Sequence, residues 1–244
     1  MSLATSNIDI FNKFATGKGL SVRFSDDEKI THAFNCTEFM NIVVRTSEGK
    51  YIVRPDTTWE RDNEDIYIPE FVNRLSWTPV LFARVSKPGR SVGEDFAERY
   101  YDGIGYGVLL YPEDMCDGSE TGFACASCLD HTSFLPFPVY NKVTLDRPGN
   151  VFELKFAATE PARTPQILFS HCNASSAAIR KAIAEATRYI YIRTGDIIAI
   201  ELEPRKPLCA RESSDPDTGF IPCGRARIKA TFCGNETIDF EIIF

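Results

Sequence analysis

The sequence predicts an α+β protein rich in β, and three observations carry that reading. Roughly ten short runs of apolar, β-branched and aromatic residues are bounded by turn residues, against about two or three helical stretches. Residues 175–202, SSAAIRKAIAEATRYIYIRTGDIIAIEL, read as an amphipathic helix near 175–190, a tight turn and a strand. Residues 226–233 and 237–244 alternate around Gly234-Asn235-Glu236 as a closing hairpin. Many strands with a few segregated helices belong to α+β architectures.

Taken in order, residues 8–24 begin with Ile8, Ile10, Phe11 and Phe14 and then meet Gly17 and Gly19. This predicts a short helix and turn leading into a strand at 20–24. Residues 29–45 predict strand or short helix, then a strand over 40–45. Ser47-Glu48-Gly49-Lys50 is turn chemistry, so 51–53 pairs back as a hairpin. The polar stretch 55–65 (PDTTWERDNED) reads as a loop or linker. It leaves 1–70 as a small β-containing N-terminal region and 75–244 as the main domain. Residues 79–85 (PVLFARV) form a strand ended by the turn Lys87-Pro88-Gly89-Arg90, and 92–102 a short helix with Phe96 and Tyr100 on one face. In 103–110 (GIGYGVLL) spaced glycines mark a strand that another backbone or a ligand approaches closely.

Residues 112–135 are the longest irregular stretch, and a loop of that size inside a compact domain is functional or disordered. A hairpin follows at 138–145 and 151–156 around Asp146-Arg147-Pro148-Gly149-Asn150, then a short strand at 167–169. Within 175–190, Ile179, Ile183, Ala186 and Ile190 recur at spacings of three and four and form the core stripe. Arg180, Lys181, Glu185 and Arg188 take the wet side, and Asn173, Ser175 or Ser176 caps the start. Gly195-Asp196 stops the run, Ile197, Ile198, Ala199 and Ile200 read as a buried strand, and 203–220 as a polar loop.

A chain of 244 residues can bury a full core, and 43% hydrophobic with 25% charged residues is ordinary for a soluble globular protein. A net charge of −7 with no run of three basic residues argues against a nucleic-acid partner, because phosphate binding needs clustered Lys and Arg. The longest apolar runs, about five to eight residues, are too short to span a bilayer. No apolar signal-like stretch opens the sequence, which predicts a cytoplasmic protein. There the eight cysteines stay as thiols rather than a disulfide framework.

Three segments carry a family resemblance. KPGRSVGEDFAERYYDGIGYG (87–107) resembles the segment of the fumarylacetoacetate hydrolase family in which a K-x-G-R turn precedes a helix and a G-Y-T strand. AIAEATRYIYIRTGDIIAIEL (182–202) is similar to that family's L-R-P-G-D-V-I-x-T-G-T-P region, and GRARIKATFCGNETIDFEI (224–242) to its final hairpin. The resemblance implies a mixed β-roll that forms a homodimer and holds a divalent metal (Mg, Mn or Ca) through carboxylates. It also implies action on small keto acids or acylpyruvates by C–C hydrolysis, decarboxylation, isomerisation or hydration. In that chemistry the metal polarises a keto or enolate oxygen while a His/Glu pair activates water.

At the family's ligand positions this sequence departs from the pattern. The E-x-E pair falls on Thr78 and Val80. Gly105-Tyr106-Gly107 is followed by Val108-Leu109-Leu110-Tyr111-Pro112, and carboxylates first appear at Glu113 and Asp114. The G-T-P loop reads Glu201-Leu202-Glu203-Pro204, and Thr31-His32-Ala33 lacks the neighbours of the family's catalytic His.

Replacement groups are sought nearby. Glu113, Asp114 and Asp130, with Asp117 and Glu120, are candidate displaced metal ligands, or else a solvated acidic loop. His131, Glu201 and Glu203 are the candidate catalytic groups. Glu201 and Glu203 alternate, so both share one face and shift each other's pKa if it lines a pocket; at a sheet edge they only discourage aggregation. Cys125-x-x-Cys128-x-x-His131 with Cys116 is an alternative zinc set, or a loop of free thiols. His171 and Cys172 are adjacent in a strand and point to opposite faces, so they form no pair. Tyr100, Tyr101 and Tyr106 wall a cleft or pack in the core. Two functions follow: a divergent metal-dependent enzyme, or a non-catalytic relative that binds a small carboxylic or keto acid or serves as a structural protein.

Overall fold

The computed structural model describes residues 40–145, 150–172, 175–211 and 219–244, with the backbone of two short strands, β1 (Ser21–Arg23) and β2 (Lys29–His32). The helix expected within 8–19, the turn at 146–149, the Asn173 cap and residues 212–218 of the expected 203–220 loop lie outside the described residues, and β14 (Lys206–Ala210) occupies part of the rest of that loop.

Two strands of 12 residues form the frame. β7 (Arg74–Val85) and β8 (Tyr101–Pro112) pair antiparallel from Leu75↔Pro112 to Arg84↔Gly103. Around them the larger sheet runs β1–β2–β10 (Val139–Asn141)–β8–β7–β13 (Ile197–Glu201)–β3 (Ile42–Arg45)–β4 (Tyr51–Arg54). β9 (Ser133–Phe134) adds to β8 and β14 to β7, with β5 (Trp59–Glu60) on β9 and β15 (Ile221–Pro222) on β14. The smaller sheet runs β12 (Gln166–Cys172)–β11 (Val151–Glu160)–β16 (Arg225–Phe232)–β17 (Asn235–Ile243)–β6 (Ile66–Tyr67). Strands within 40–70 lie in both sheets. β3 pairs parallel with β13 from Ile42↔Ile197, and β6 pairs with β17.

β7 and β8 are apolar on both faces because each face is covered. Leu75, Trp77, Leu81 and Ala83 join Tyr106, Val108, Leu110, Ile198 and Ile200 in the main core, against the smaller sheet and the long helix. Val80, Phe82, Leu109, Tyr111, Ile197 and Ala199 point the other way, into a second cluster with Ile42 and Val44. This second face positions the site. The glycines of β8 answer to packing: a Cβ at Gly105 would strike the Phe82 ring, and one at Gly107 the Phe134 carbonyl.

The helices are α1 (Glu94–Ala97), α2 (Glu120–Ala126) and α3 (Ser176–Ala186). α3 follows its periodicity. Ile179, Ala182, Ile183 and Ala186 are buried, Ile190 packs alongside, and the Ser175 hydroxyl accepts from Ala177 N–H at 3.0 Å. Each such isoleucine contributes about 1.5–3 kcal/mol when fully buried. α1 is a single turn whose buried residue is Ala97, so Phe96 faces out at 56% exposure instead of sharing a core face with Tyr100. α2 interrupts the expected irregular stretch; Ser119 caps it by accepting from Gly122 N–H at 2.9 Å. The closing hairpin turns at Cys233-Gly234, both with positive φ (52° and 75°), one residue earlier than expected. This left-handed pair is the geometry of a tight two-residue hairpin turn. Among the described residues no helix is long and apolar enough to cross a membrane.

Candidate functional site

The site forms where β4, β7, β8 and β13 present the second face. Registers Ser76↔Tyr111, Thr78↔Leu109, Val80↔Gly107 and Val80↔Glu201 line these residues up on it. Thr78 and Val80, the E-x-E positions of the resemblance, are wholly buried, and the Thr78 hydroxyl donates to Glu203 O at 2.7 Å. The strand on which the family's metal-binding Asp follows G-Y-T closes here with Tyr111 and Pro112.

Into this face β4 delivers Arg54. It shares strand parity with Ile52, which packs on the second cluster, so alternation sends Arg54 to the same side. The guanidinium is 0% exposed. Its Nε donates to Ser127 O at 3.0 Å, and its Nη2 donates to Leu110 O at 3.1 Å and to Thr132 Oγ1 at 2.6 Å. Among the described residues Nη1 has no hydrogen-bond partner. The guanidinium carbon lies 4.8 Å from the centre of the Tyr111 ring, a cation–π contact. Arg205 lies 5.6 Å from the same ring and 5.4 Å from that of Phe123, which itself stacks on Tyr111 at 5.5 Å.

Glu201 completes the cluster. Its Oε1 accepts from the Tyr111 hydroxyl at 3.0 Å and its Oε2 from Ser47 N–H at 2.9 Å. Burial pushes its carboxyl above the ordinary range, against the opposing pull of Ser47, Tyr111, Arg205 and Arg54. Burial likewise raises the Tyr111 hydroxyl and lowers Arg54, which the neighbouring Tyr111 and Glu201 counter. At the rim the Glu113 carboxylate accepts from the Ser76 hydroxyl at 2.7 Å and faces Arg205 at 3.6 Å.

The other sequence candidates are spread out. Asp114 accepts from Asn73 N–H (2.7 Å), Arg74 N–H (2.9 Å) and Arg74 Nε (3.0 Å). Against the cost of burial, these donors hold its carboxyl below the usual range. Asp130 is exposed on a turn. His131 has positive φ (55°) and sets Nδ1 3.0 Å from Glu60 Oε2. Glu203 is not on the face of Glu201, because β13 ends at Glu201 and alternation ends with it; Glu203 pairs instead with Lys206 at 2.5 Å.

The expected zinc set is separated too. The Cys116 thiol accepts from Arg205 Nη1 at 3.2 Å, while Cys125 sits within α2 and Cys128 just past it, and His131 is engaged by Glu60. Among the described residues no three His, Cys, Asp or Glu side chains gather as a metal would require. Of the tyrosines, Tyr101 is buried, and Tyr106 stacks on Phe152 at 4.7 Å while lining a cavity of about 120 Å³ with Phe137 and Tyr140.

The residues that sequence reasoning missed are Arg54, Tyr111 and Arg205. Two signals were present: an arginine in phase with apolar Ile52, and a tyrosine ending the strand where a carboxylate is expected. The donor set does not fit a divalent cation. Such ions take several oxygen ligands, carboxylates foremost, whereas this face offers Glu201 beside a buried guanidinium, and the Glu113 carboxylate at its rim is turned to Ser76 and Arg205.

Neither a protein-family model nor a curated protein sequence matches the chain. Solved structures do. A fumarylpyruvate hydrolase from Pseudomonas aeruginosa, in complex with Mn2+ and pyruvate, superposes with a TM-score of 0.60 at 12% identity, covering 93% of this chain and 96% of that one. A Yersinia pestis protein provisionally assigned to the fumarylacetoacetate hydrolase family gives 0.62 at 15% identity over 84% and 94%. A 5-carboxymethyl-2-hydroxymuconate delta-isomerase from Mycobacterium smegmatis gives 0.55 at 16% identity over 83% and 76%. The chain therefore has the fold of the fumarylacetoacetate hydrolase family.

Proposed function

We propose that this chain is a non-catalytic protein of the fumarylacetoacetate hydrolase fold, a binding protein rather than a metal-dependent hydrolase, decarboxylase or isomerase. One observation carries the reading. The face of β7, β8 and β13 that the resemblance assigns to the metal bears Thr78, Val80, Leu109 and Tyr111, and its one carboxylate, Glu201, is already engaged by Tyr111 and Ser47. The positive charge beside Glu201 belongs to Arg54, and like charges repel strongly where water is excluded. The ligand class that suits the part-exposed guanidinium at the rim is a small carboxylic or keto acid. Arg205, over Tyr111 and Phe123 and beside Glu113 and Cys116, would have to turn part of its fork to the ligand carboxylate. The homodimer that the resemblance implies is part of the proposal and is read from the mass in solution.

The test is calorimetric titration of the purified chain with Mn2+, Mg2+ and Ca2+, alongside turnover assays on acylpyruvates and oxaloacetate. Neither metal binding nor turnover is expected. Metal bound at near one per chain with metal-dependent turnover would overturn the reading. Metal-free turnover abolished by Glu201→Gln would replace it with acid–base catalysis on Glu201.

A further inference from the structure

We propose that Cys125 and Cys128 are a dithiol poised to close into an intrachain disulfide, a redox-modification site on the turn covering the Arg54–Tyr111–Glu201 cluster. The inference is independent of the function proposed above, since it rests on the Cys-x-x-Cys motif that no metal site uses.

The geometry favours closure. Cys125 lies in the last turn of α2, and its cap Ser127 keeps helical angles (φ −78°, ψ −6°). Cys128 N–H donates to Cys125 O at 3.0 Å, an i to i+3 bond. In such a turn side chains three apart lie over one another, and helical geometry sets their Cα atoms about 5 Å apart. Disulfides span Cα separations of about 4.4–6.8 Å. The Cys128 thiol donates back to Ala124 O at 3.2 Å, so it lies along the turn rather than pointing away from it.

Access singles out the same pair. Of the six described thiols only Cys125 and Cys128 are exposed. Cys209 and Cys223 are adjacent but wholly buried, out of reach of an oxidant in the folded state. Cys116 is half-buried against Arg205.

The oxidant class is a low-molecular-weight disulfide, RS–SR. One cysteine thiolate attacks a sulfur of RS–SR and expels RS⁻, leaving a mixed disulfide. The second thiolate attacks the protein sulfur of that mixed disulfide, forming the intrachain S–S bond and expelling the second RS⁻. The two protons lost by the cysteines pass to the two leaving thiolates. The protein is oxidised by two electrons, and RS–SR is reduced to two RSH.

The turn is coupled to what lies beneath it. Ser127 O accepts from Arg54 Nε at 3.0 Å, Ser127 Oγ donates to Phe123 O at 2.8 Å, and Phe123 stacks on Tyr111. Closing the ring fixes the carbonyl that Arg54 uses.

The experiment equilibrates the full chain, folded, with buffers of oxidised and reduced glutathione, quenches with acid and counts remaining thiols by alkylation and mass. The count is expected to fall from eight to six. Peptide mapping is expected to place the lost pair at Cys125 and Cys128, and amide exchange over 123–132 to slow several-fold. Cys125→Ser and Cys128→Ser each abolish the change, and Cys116→Ser leaves it intact. Eight thiols retained under strongly oxidising ratios, only mixed disulfides, or a pair mapped elsewhere would each overturn the proposal.

Discussion

The two ends of β13 each carry a carboxylate, and the two are held in different ways. At the first end Asp196 is fully buried and accepts from Asn41 N–H at 2.8 Å, Arg193 N–H at 2.7 Å and Asn41 Nδ2 at 3.4 Å. Its partners come from its own turn and from the residue leading into β3, so it fastens two neighbouring strands. At the second end Glu201 takes a main-chain donor from Ser47 and a hydroxyl from Tyr111, with Arg54 and Arg205 in electrostatic reach. Burial still pushes its carboxyl up. A carboxylate satisfied by donors from two neighbouring segments is a packing device. One drawn between four separate segments belongs to a cluster that tertiary structure assembled and that a single substitution can dismantle.

The largest expected effect tests that second end. Arg54→Met leaves Ser127 O, Leu110 O and Thr132 without their donor and Glu201 without its buried countercharge. Leaving these buried acceptors without their charged donor costs about 1–3 kcal/mol each, read as a fall in the urea midpoint. A loss under about 1 kcal/mol would mean that Arg54 does not organise the cluster. At the first end, Asp196→Ala should cost about 1.5–3 kcal/mol, as expected for charged hydrogen bonds lost in the interior. It should also speed amide exchange in β3 more than in β8.

Tyr111→Phe removes one donor to Glu201 while keeping both guanidinium contacts with the ring, so about 1 kcal/mol is expected. The pH profile sharpens the same point. The folded-state value of Glu201 stands above its ordinary 4.5, so between the two values the native state holds a proton that the unfolded chain has released. That contribution is fully present below the unfolded value and is lost as pH rises through the folded one. The melting temperature of Glu201→Gln should therefore gain on the parent as pH is raised from about 4 to about 7. A flat difference would show that Glu201 is not desolvated as placed. The smallest effect belongs to Glu203→Gln. It breaks a partly exposed pair with Lys206 and should change stability by less than about 0.5 kcal/mol.

Much of the scaffold was legible because it depends on neighbours in sequence. Ile179, Ile183 and Ala186 announce α3 by their spacing, Ser175 by its cap, and Gly195 (φ 98°) by the turn only glycine enters freely. The alternation in 226–232 announces the closing hairpin, and its turn was misplaced by one residue because Cys233 adopts positive φ, which a sequence rarely advertises. α2 was hidden by its content: Glu-Thr-Gly-Phe-Ala-Cys-Ala buries only Ala126 fully, so no apolar period marks it.

The site was less legible. Glu113, Asp114 and Asp130 are carboxylates of one loop, but sharing a loop does not make side chains converge. Asp114 turns to the start of β7, Glu113 to Ser76 and Arg205, and Asp130 to solvent. Arg54 carries no local mark, because most arginines are solvated and nothing within a few residues of it reveals acceptors at 110, 127 and 132.

The sequence by itself determined the β-rich class, the amphipathic helix, the turn at Gly195-Asp196 and the order of elements that resembles the fumarylacetoacetate hydrolase pattern. Those follow from periodicity and turn chemistry, which act over a few residues. Only the tertiary structure decided that β3 and β4 lie in the same sheet as β7 and β13, and that Arg54, Tyr111 and Glu201 share one face of it. A buried charge is stable only where distant segments bring it acceptors and a countercharge, and that meeting is a property of the fold rather than of any stretch of chain.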